Sequence, residues 1–226
     1  MFTTAILLAA GSGSRMRSGA DKALVNLSGR PVIAYSLKTL SRSPEIRQII
    51  IVVNRNNCSG IMRLVKAGNF AKVCRIIAGG RRRQDSLASG LRVLDKRTRF
   101  VLVHDAARPF VGVKIIADCL KEARKSGAAV AGVPVKATIK ECASGNLVRR
   151  TLNRERLWEI QTPQVFRKEL ILEAFERFGR KNVTDDANLV EKLGKRVKIV
   201  GGTYFNIKIT TPEDLVFGRA IAKARK

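Results

Sequence analysis

Short apolar runs recur along the chain at Ala5 to Leu8, Ile49 to Val53, Val73 to Ala78, Phe100 to His104 and Ala128 to Val135, with longer amphipathic stretches between them. Alternation of strand-length and helix-length segments argues for a Rossmann-like, mostly parallel sheet flanked by helices. Helices are expected over Pro31 to Leu40, Ser59 to Lys66, Asp85 to Lys96, Val113 to Lys125, Lys168 to Phe178 and Asp186 to Leu193. A last helix starts at Thr211-Pro212-Glu213-Asp214, where Thr takes the N-cap, Pro the first position and an acid follows, the pattern of a capping box. Lys136 to Thr151 breaks the alternation, because Thr138-Ile139-Lys140 and Leu147-Val148-Arg149 flank the turn-forming Ser144-Gly145-Asn146. That pattern predicts a β-hairpin, which cannot stand stably alone and needs a surface to pack on, such as a second subunit. One α/β domain over residues 1–226, with residues 136–151 as its arm, is the expected organisation.

Where the first apolar run ends, the chain reads Leu8-Ala9-Ala10-Gly11-Ser12-Gly13-Ser14-Arg15-Met16, with Lys22 shortly after. Small residues after a strand let backbone N–H groups approach an anion, and Arg15 and Lys22 add positive charge suited to a polyphosphate. The dinucleotide fingerprint would need a third Gly where Arg15 stands, and a Walker loop would need Gly-Lys-Ser/Thr. An arginine there points instead to phosphoryl or nucleotidyl chemistry.

The 44 Lys and Arg against 18 Asp and Glu leave a net charge of +26, enough to draw nucleic acid, anionic membrane or polyphosphate. The cations are scattered, with Arg81-Arg82-Arg83 as the single run, and aromatics for base stacking are few. A basic surface around an anion-handling enzyme accounts for the charge, with no more than non-specific attraction to nucleic acid expected. No apolar run approaches a membrane span, and the first run lacks a basic leader, so a cytoplasmic protein is expected. Cys58, Cys74, Cys119 and Cys142 lie far apart and are expected reduced and partly buried, and with His104 the only histidine no zinc-site spacing exists. His104 reads as a strand-end loop residue rather than a catalytic base, and Trp158, Phe166 and Phe175 read as core.

Five further segments follow the glycine loop in order: Gly79-Gly80-Arg81-Arg82-Arg83-Gln84-Asp85-Ser86, Val103-His104-Asp105-Ala106-Ala107-Arg108-Pro109, Arg154-Glu155-Arg156-Leu157-Trp158, Gln161-Thr162-Pro163-Gln164 and Asn206-Ile207-Lys208-Ile209-Thr210. Together the set resembles the 2-C-methyl-D-erythritol 4-phosphate cytidylyltransferases of the non-mevalonate isoprenoid pathway, from Ala5 to about Leu215. The resemblance implies a nucleotidyltransferase-type sheet and transfer of a cytidylyl group from CTP, with Mg2+ bridging the phosphates rather than bound by protein side chains. It implies Arg15 and Lys22 on the triphosphate and Arg154 and Lys208 on the sugar phosphate, as catalytic groups. Ala9, Ala10, Gly11, Gly80, Arg83, Ser86 and Ala106 would bind the nucleotide, while Asp105, Arg108, Thr138 and Thr162 would bind the polyol phosphate. It also implies a homodimer in which the hairpin reaches the partner's site.

Simpler readings stand beside these. Arg154 could pair with Glu155 or Glu159, Lys208 could face solvent from a strand, Thr138 could be an ordinary strand residue, and Arg81 and Arg82 read as solvated surface. The chain departs from the family pattern at Asp21, where proline usually precedes the loop lysine, and at Ala137, where an acid commonly precedes the hairpin threonine. Ribitol-5-phosphate cytidylyltransferases share the architecture, but Leu8-Ala9-Ala10-Gly11, Ala107 and Arg156-Leu157-Trp158 look more like the methylerythritol enzymes. A basic RNA-binding protein on the same fold is the rival from a different class.

Overall fold

The computed structural model describes residues 1–11 and 21–225. Strands β1 (Thr3–Leu8), β4 (Gln48–Val53), β5 (Val73–Ala78), β6 (Phe100–Asp105), β7 (Ala128–Pro134), β10 (Trp158–Arg167) and β11 (Lys198–Gly201) form a seven-stranded sheet ordered β11-β7-β10-β6-β1-β4-β5. β1 pairs in parallel with β4 and β6, β4 with β5, and β7 with β11, whereas β10 runs antiparallel between β6 and β7. Helices α1 (Val32–Arg42), α2 (Cys58–Ala67), α3 (Arg83–Arg92), α4 (Val113–Ser126), α5 (Lys168–Phe178), α6 (Ala187–Lys192) and α7 (Pro212–Ala224) complete the chain. A two-residue ribbon pairs β2 (Asn26–Leu27) with β3 (Arg30–Pro31). Among the described residues, no helix is long and apolar enough to cross a membrane.

The central strands are continuous apolar runs because both faces are covered. Ala5, Leu7, Ile49, Ile51 and Leu102 pack with Leu37 and Leu40 of α1 and Ile116 and Leu120 of α4. Their neighbours Ile6, Ile50, Val101 and Val103 pack on the opposite face with Leu87 of α3 and Ile171 of α5. Each fully buried Leu or Ile of this set contributes about 1.5–3 kcal/mol. Gly127 ends α4 in the left-handed region at φ +84°, where its N–H donates to the Ala123 carbonyl at 2.8 Å. At α7 the Asp214 N–H donates to Thr211 Oγ1 and Asp214 Oδ2 accepts from the Thr211 N–H at 2.9 Å, the reciprocal cap that the sequence predicts.

Several expectations change. α3 stops at Arg92 rather than Lys96, because the Asp95 carboxylate and carbonyl accept from the Arg97 and Thr98 N–H groups and turn the chain. Thr138 precedes the hairpin strand β8 (Lys140–Cys142), which pairs with β9 (Val148–Thr151) across a 3-10 turn over Ser144–Asn146. Lys208 lies in a loop, not a strand, held where the Ile209 N–H donates to the Ala107 carbonyl at 2.8 Å. Trp158 is 39% exposed at the start of β10 and is not core, while Phe166 is fully buried. All four cysteines are free thiols, with Cys119 buried and both Cys74 and Cys142 exposed.

Candidate active site

The carboxyl ends of β1, β5 and β6 meet in a cleft of about 320 Å3, as expected for an open α/β sheet. Leu8, Ala10 and Gly11 form one wall, Lys22 another, and Gly80 to Arg83 with Ser86 a third; Asp105, Ala107 and Lys208 close it. Arg81 and Arg82 are exposed, as solvated surface should be, and they border the cleft as well.

The Gly79–Gly80 turn is shaped by crowding. A Cβ on Gly79 would sit 2.5 Å from Ala10 Cβ and 2.7 Å from Ser86 Oγ, so only glycine lets the turn approach β1 and α3 this closely. Ser86 Oγ accepts from the Gly80 N–H at 3.2 Å, and Asp85 accepts from the Arg82 N–H at 3.0 Å, fixing the turn onto α3. Asp21, where the family pattern has proline, accepts from the Ala23 N–H at 2.9 Å and from Asn54 Nδ2 at 2.6 Å. Hydrogen bonds here take over the restraint a proline ring would supply.

At the base of the cleft the charges form a chain. Lys208 Nζ lies 2.6 Å from Asp105 Oδ2, Arg83 Nε 3.0 Å from Asp105 Oδ1, and Arg83 Nη1 2.7 Å from Asp186 Oδ1. Burial alone would raise the Asp105 carboxyl, but Arg83, Lys208 and Arg108 overcome it and hold it well below the usual carboxylate range. Asp186, buried with one cation and close to Asp105 and Asp185, is shifted upward by burial that Arg83 only partly offsets. Arg83 is held firmly charged by its two carboxylates against the opposing effect of burial.

A second cavity of about 380 Å3 shares Arg83, Asp105 and Lys208 with the first and adds Arg108, Thr162 and Asp185. Thr162 Oγ1 accepts from the Asp105 N–H at 3.1 Å and lies 3.0 Å from His104 Nδ1. His104 is the last residue but one of β6 rather than a loop residue, and is fully buried; burial lowers its pKa to about 4, leaving a neutral ring that braces Thr162 and the Arg108 carbonyl. Arg108 is buried, with Nη1 donating to the Asn206 carbonyl at 2.7 Å.

Ala10, Gly11, Lys22, Gly80, Arg83, Ser86, Asp105 and Lys208 thus come together in one cleft, with Arg108 and Thr162 next door. Ala9 and Ala106 are buried in the walls, Ala9 donating its N–H to the Val52 carbonyl of β4 and Ala106 to the Leu8 carbonyl of β1, and Ala107 rather than Ala106 lines the cleft. Arg15 lies outside the described residues. Thr138 and Arg154 line neither cavity: Thr138 is exposed, and Arg154, also exposed, donates from Nη1 to the Lys136 carbonyl at 2.6 Å instead of pairing with Glu155 or Glu159. Sequence reasoning missed Asp186 and Asp185; the Thr184-Asp185-Asp186 triplet at a helix start was the available signal.

The IspD family model, 2-C-methyl-D-erythritol 4-phosphate cytidylyltransferase, matches residues 3–224. The chain belongs to this family. It is 48% identical over 219 residues to the 2-C-methyl-D-erythritol 4-phosphate cytidylyltransferase of Dehalococcoides mccartyi, covering 97% of this chain and 95% of that protein. The Shouchella clausii protein of the same name is 45% identical, with 98% and 97% covered. Among solved structures, the Anaerococcus prevotii 4-diphosphocytidyl-2C-methyl-D-erythritol synthase superposes with TM-score 0.88 at 35% identity over 98% of this chain and 96% of that one. The Thermus thermophilus 2-C-methyl-D-erythritol 4-phosphate cytidylyltransferase superposes with TM-score 0.78 at 31% identity, covering 97% and 98%. As a member of the cytidylyltransferase family the chain is a nucleotidyl-transferring enzyme.

Proposed function

We propose that this cytidylyltransferase joins CTP and 2-C-methyl-D-erythritol 4-phosphate, giving 4-diphosphocytidyl-2-C-methyl-D-erythritol and pyrophosphate in isoprenoid precursor synthesis. The observation that carries this reading is the Lys208–Asp105–Arg83 cluster set between two cavities, one beside the glycine turn and one beside Thr162 and Arg108. The first suits a nucleotide triphosphate and the second a phosphorylated polyol.

In the reaction an oxygen of the acceptor phosphate forms a bond to the α-phosphorus of CTP. The α–β bridging P–O bond breaks in line with it, and pyrophosphate carries away the electron pair. A phosphate dianion needs no general base, which fits a buried neutral His104. Positioning and charge stabilisation supply the rate. Lys22 and Arg15 stabilise the charge building on the triphosphate, Ser86 and the Gly80 turn seat the cytidine side, and Lys208 with Arg154 holds the attacking phosphate. Asp105 orients Lys208 and Arg83 and offers an acceptor to polyol hydroxyls. Because Asp105 is already engaged by two cations, Mg2+ would enter on the phosphate oxygens of CTP, neutralising charge that the side chains leave.

The enzyme works as a cytoplasmic homodimer whose residues 136–151 arm crosses to the partner and supplies Thr138, with Arg154 just beyond the end of that arm. Support comes from the exposed Leu147 (71%) and Val148 (60%) on that arm, and from exposed Phe205 and Phe217, apolar surface that a second subunit would cover. The test is pyrophosphate release from CTP with 2-C-methyl-D-erythritol 4-phosphate and with ribitol 5-phosphate offered separately. Turnover with the former at least 100-fold above the latter supports the reading; preference for ribitol 5-phosphate, or RNA binding with no turnover, overturns it.

A further inference from the structure

On the sheet face that carries α1 and α4, a cleft of about 590 Å3 opens between α1, Pro109 to Val113 and the end of α7. It shares no lining residue with the two cavities of the active site. Its walls carry Arg30, Lys38, Arg42 and Arg225, and no Asp or Glu lines it among the described residues. No ion pair joins any of these four to a carboxylate among the described residues.

One of the four is fixed in place. Arg225 Nη1 donates to the Phe110 carbonyl at 2.9 Å, and its guanidinium sits 5.4 Å from the Phe110 ring centroid. Phe110 in turn meets Tyr35 edge-on at 6.0 Å, and Tyr35 Oη donates to the Leu27 carbonyl at 2.6 Å. A cation held over a packed aromatic floor keeps its charge at one point, where its neighbours' like charges disfavour it. A scattered basic surface needs no cavity and would let its side chains spread into water. Here the cations converge on concave space of the size that small ligands fill, about 300–1,000 Å3.

We propose that this cleft is a second anion site, separate from catalysis, that takes a small linear polyphosphate. Several linked phosphates match four cations lining one cleft better than a single phosphate does, and each added charge pair strengthens the fit. Free oligophosphate and a nucleoside triphosphate present the same chain of phosphates to it.

Calorimetric titration of the whole protein with tripolyphosphate tests this, with ATP in a parallel arm to separate the two sources. Two binding events per chain are expected. Lys22→Ala removes one, and the Lys38→Gln/Arg42→Gln double variant weakens the other at least 10-fold while leaving kcat/KM for CTP within twofold. Arg225→Gln, at the end of α7 rather than on α1, should weaken the same event. A single event in the wild-type protein, or two intact events in both cleft variants, overturns the proposal. So does loss of single-stranded RNA affinity in those variants while both tripolyphosphate events remain.

Discussion

Arg83 Nη1 lies 2.7 Å from Asp186 Oδ1, an ion pair that spans 103 positions of sequence and ties the start of α3 to the N-cap of α6. The same guanidinium uses Nε to hold Asp105 at 3.0 Å. Arg83 therefore cannot move toward or away from the cleft without disturbing a buried carboxylate at each end, and Asp186, which lines neither of the two cavities, becomes a positioning residue for it.

Asp186→Asn keeps an acceptor for Arg83 but removes the charge. KM for CTP should rise roughly 10-fold, about 1.4 kcal/mol, with a smaller change in kcat. Asp186→Ala should also lose roughly 2–3 kcal/mol of stability, as a charged hydrogen bond disappears. Steady-state kinetics with urea unfolding checks both; an unchanged KM for CTP in the two variants would show that Arg83 needs no such anchor.

Lys22→Ala should lower kcat by about 10²- to 10³-fold with normal melting, the usual cost of one preorganised charge on a developing anion. Arg15→Ala should behave alike, and the double variant should lose much less than the product of the two, since both act on one phosphate cluster. Full additivity would separate their roles.

Arg154→Ala should raise KM for 2-C-methyl-D-erythritol 4-phosphate by on the order of 10-fold while leaving KM for CTP within twofold, because the charge is assigned to the acceptor. Equal changes in both constants would refute that division.

His104 adds a pH dependence to stability. Its folded pKa of about 4 lies below the ordinary 6.5, so between those values the unfolded chain binds a proton that the folded chain does not. Its contribution is complete above pH 6.5 and is lost as pH falls toward 4, on the order of 3 kcal/mol in all. Urea midpoints at pH 7 and pH 4.5 measure it, and His104→Asn should flatten the difference. A wild-type slope that survives this substitution would assign the effect elsewhere.

Much of the frame was legible because strand-length apolar runs have few alternatives: β1, β4, β5, β6 and β7 each coincide with one. β10 was not, because Gln161, Thr162, Pro163 and Gln164 interrupt its apolar pattern. Those polar groups are satisfied only by distant partners, as Gln164 Nε2 donates to Asp185 Oδ2 at 2.7 Å and Gln161 Nε2 to the Thr203 carbonyl at 3.0 Å. The same limit hid Asp186, whose role depends on a partner 103 positions away. Motif residues at strand ends could be placed because the sheet itself brings strand ends together. Lys208 reached the cleft from an irregular loop, by a backbone bond from Ile209 that no local pattern announces.

Thr138 and Arg154 stand outside both cavities of their own chain, so the proposed active site needs two copies to be complete. Mixing a Lys22→Ala protein with a Thr138→Ala protein, each nearly inactive alone, tests this most directly. In a random heterodimer one of two sites regains both intact halves, so the mixture should recover roughly a quarter of wild-type turnover after subunit exchange. Verified heterodimers with no recovered turnover, or a strictly monomeric protein with full activity, would contradict it.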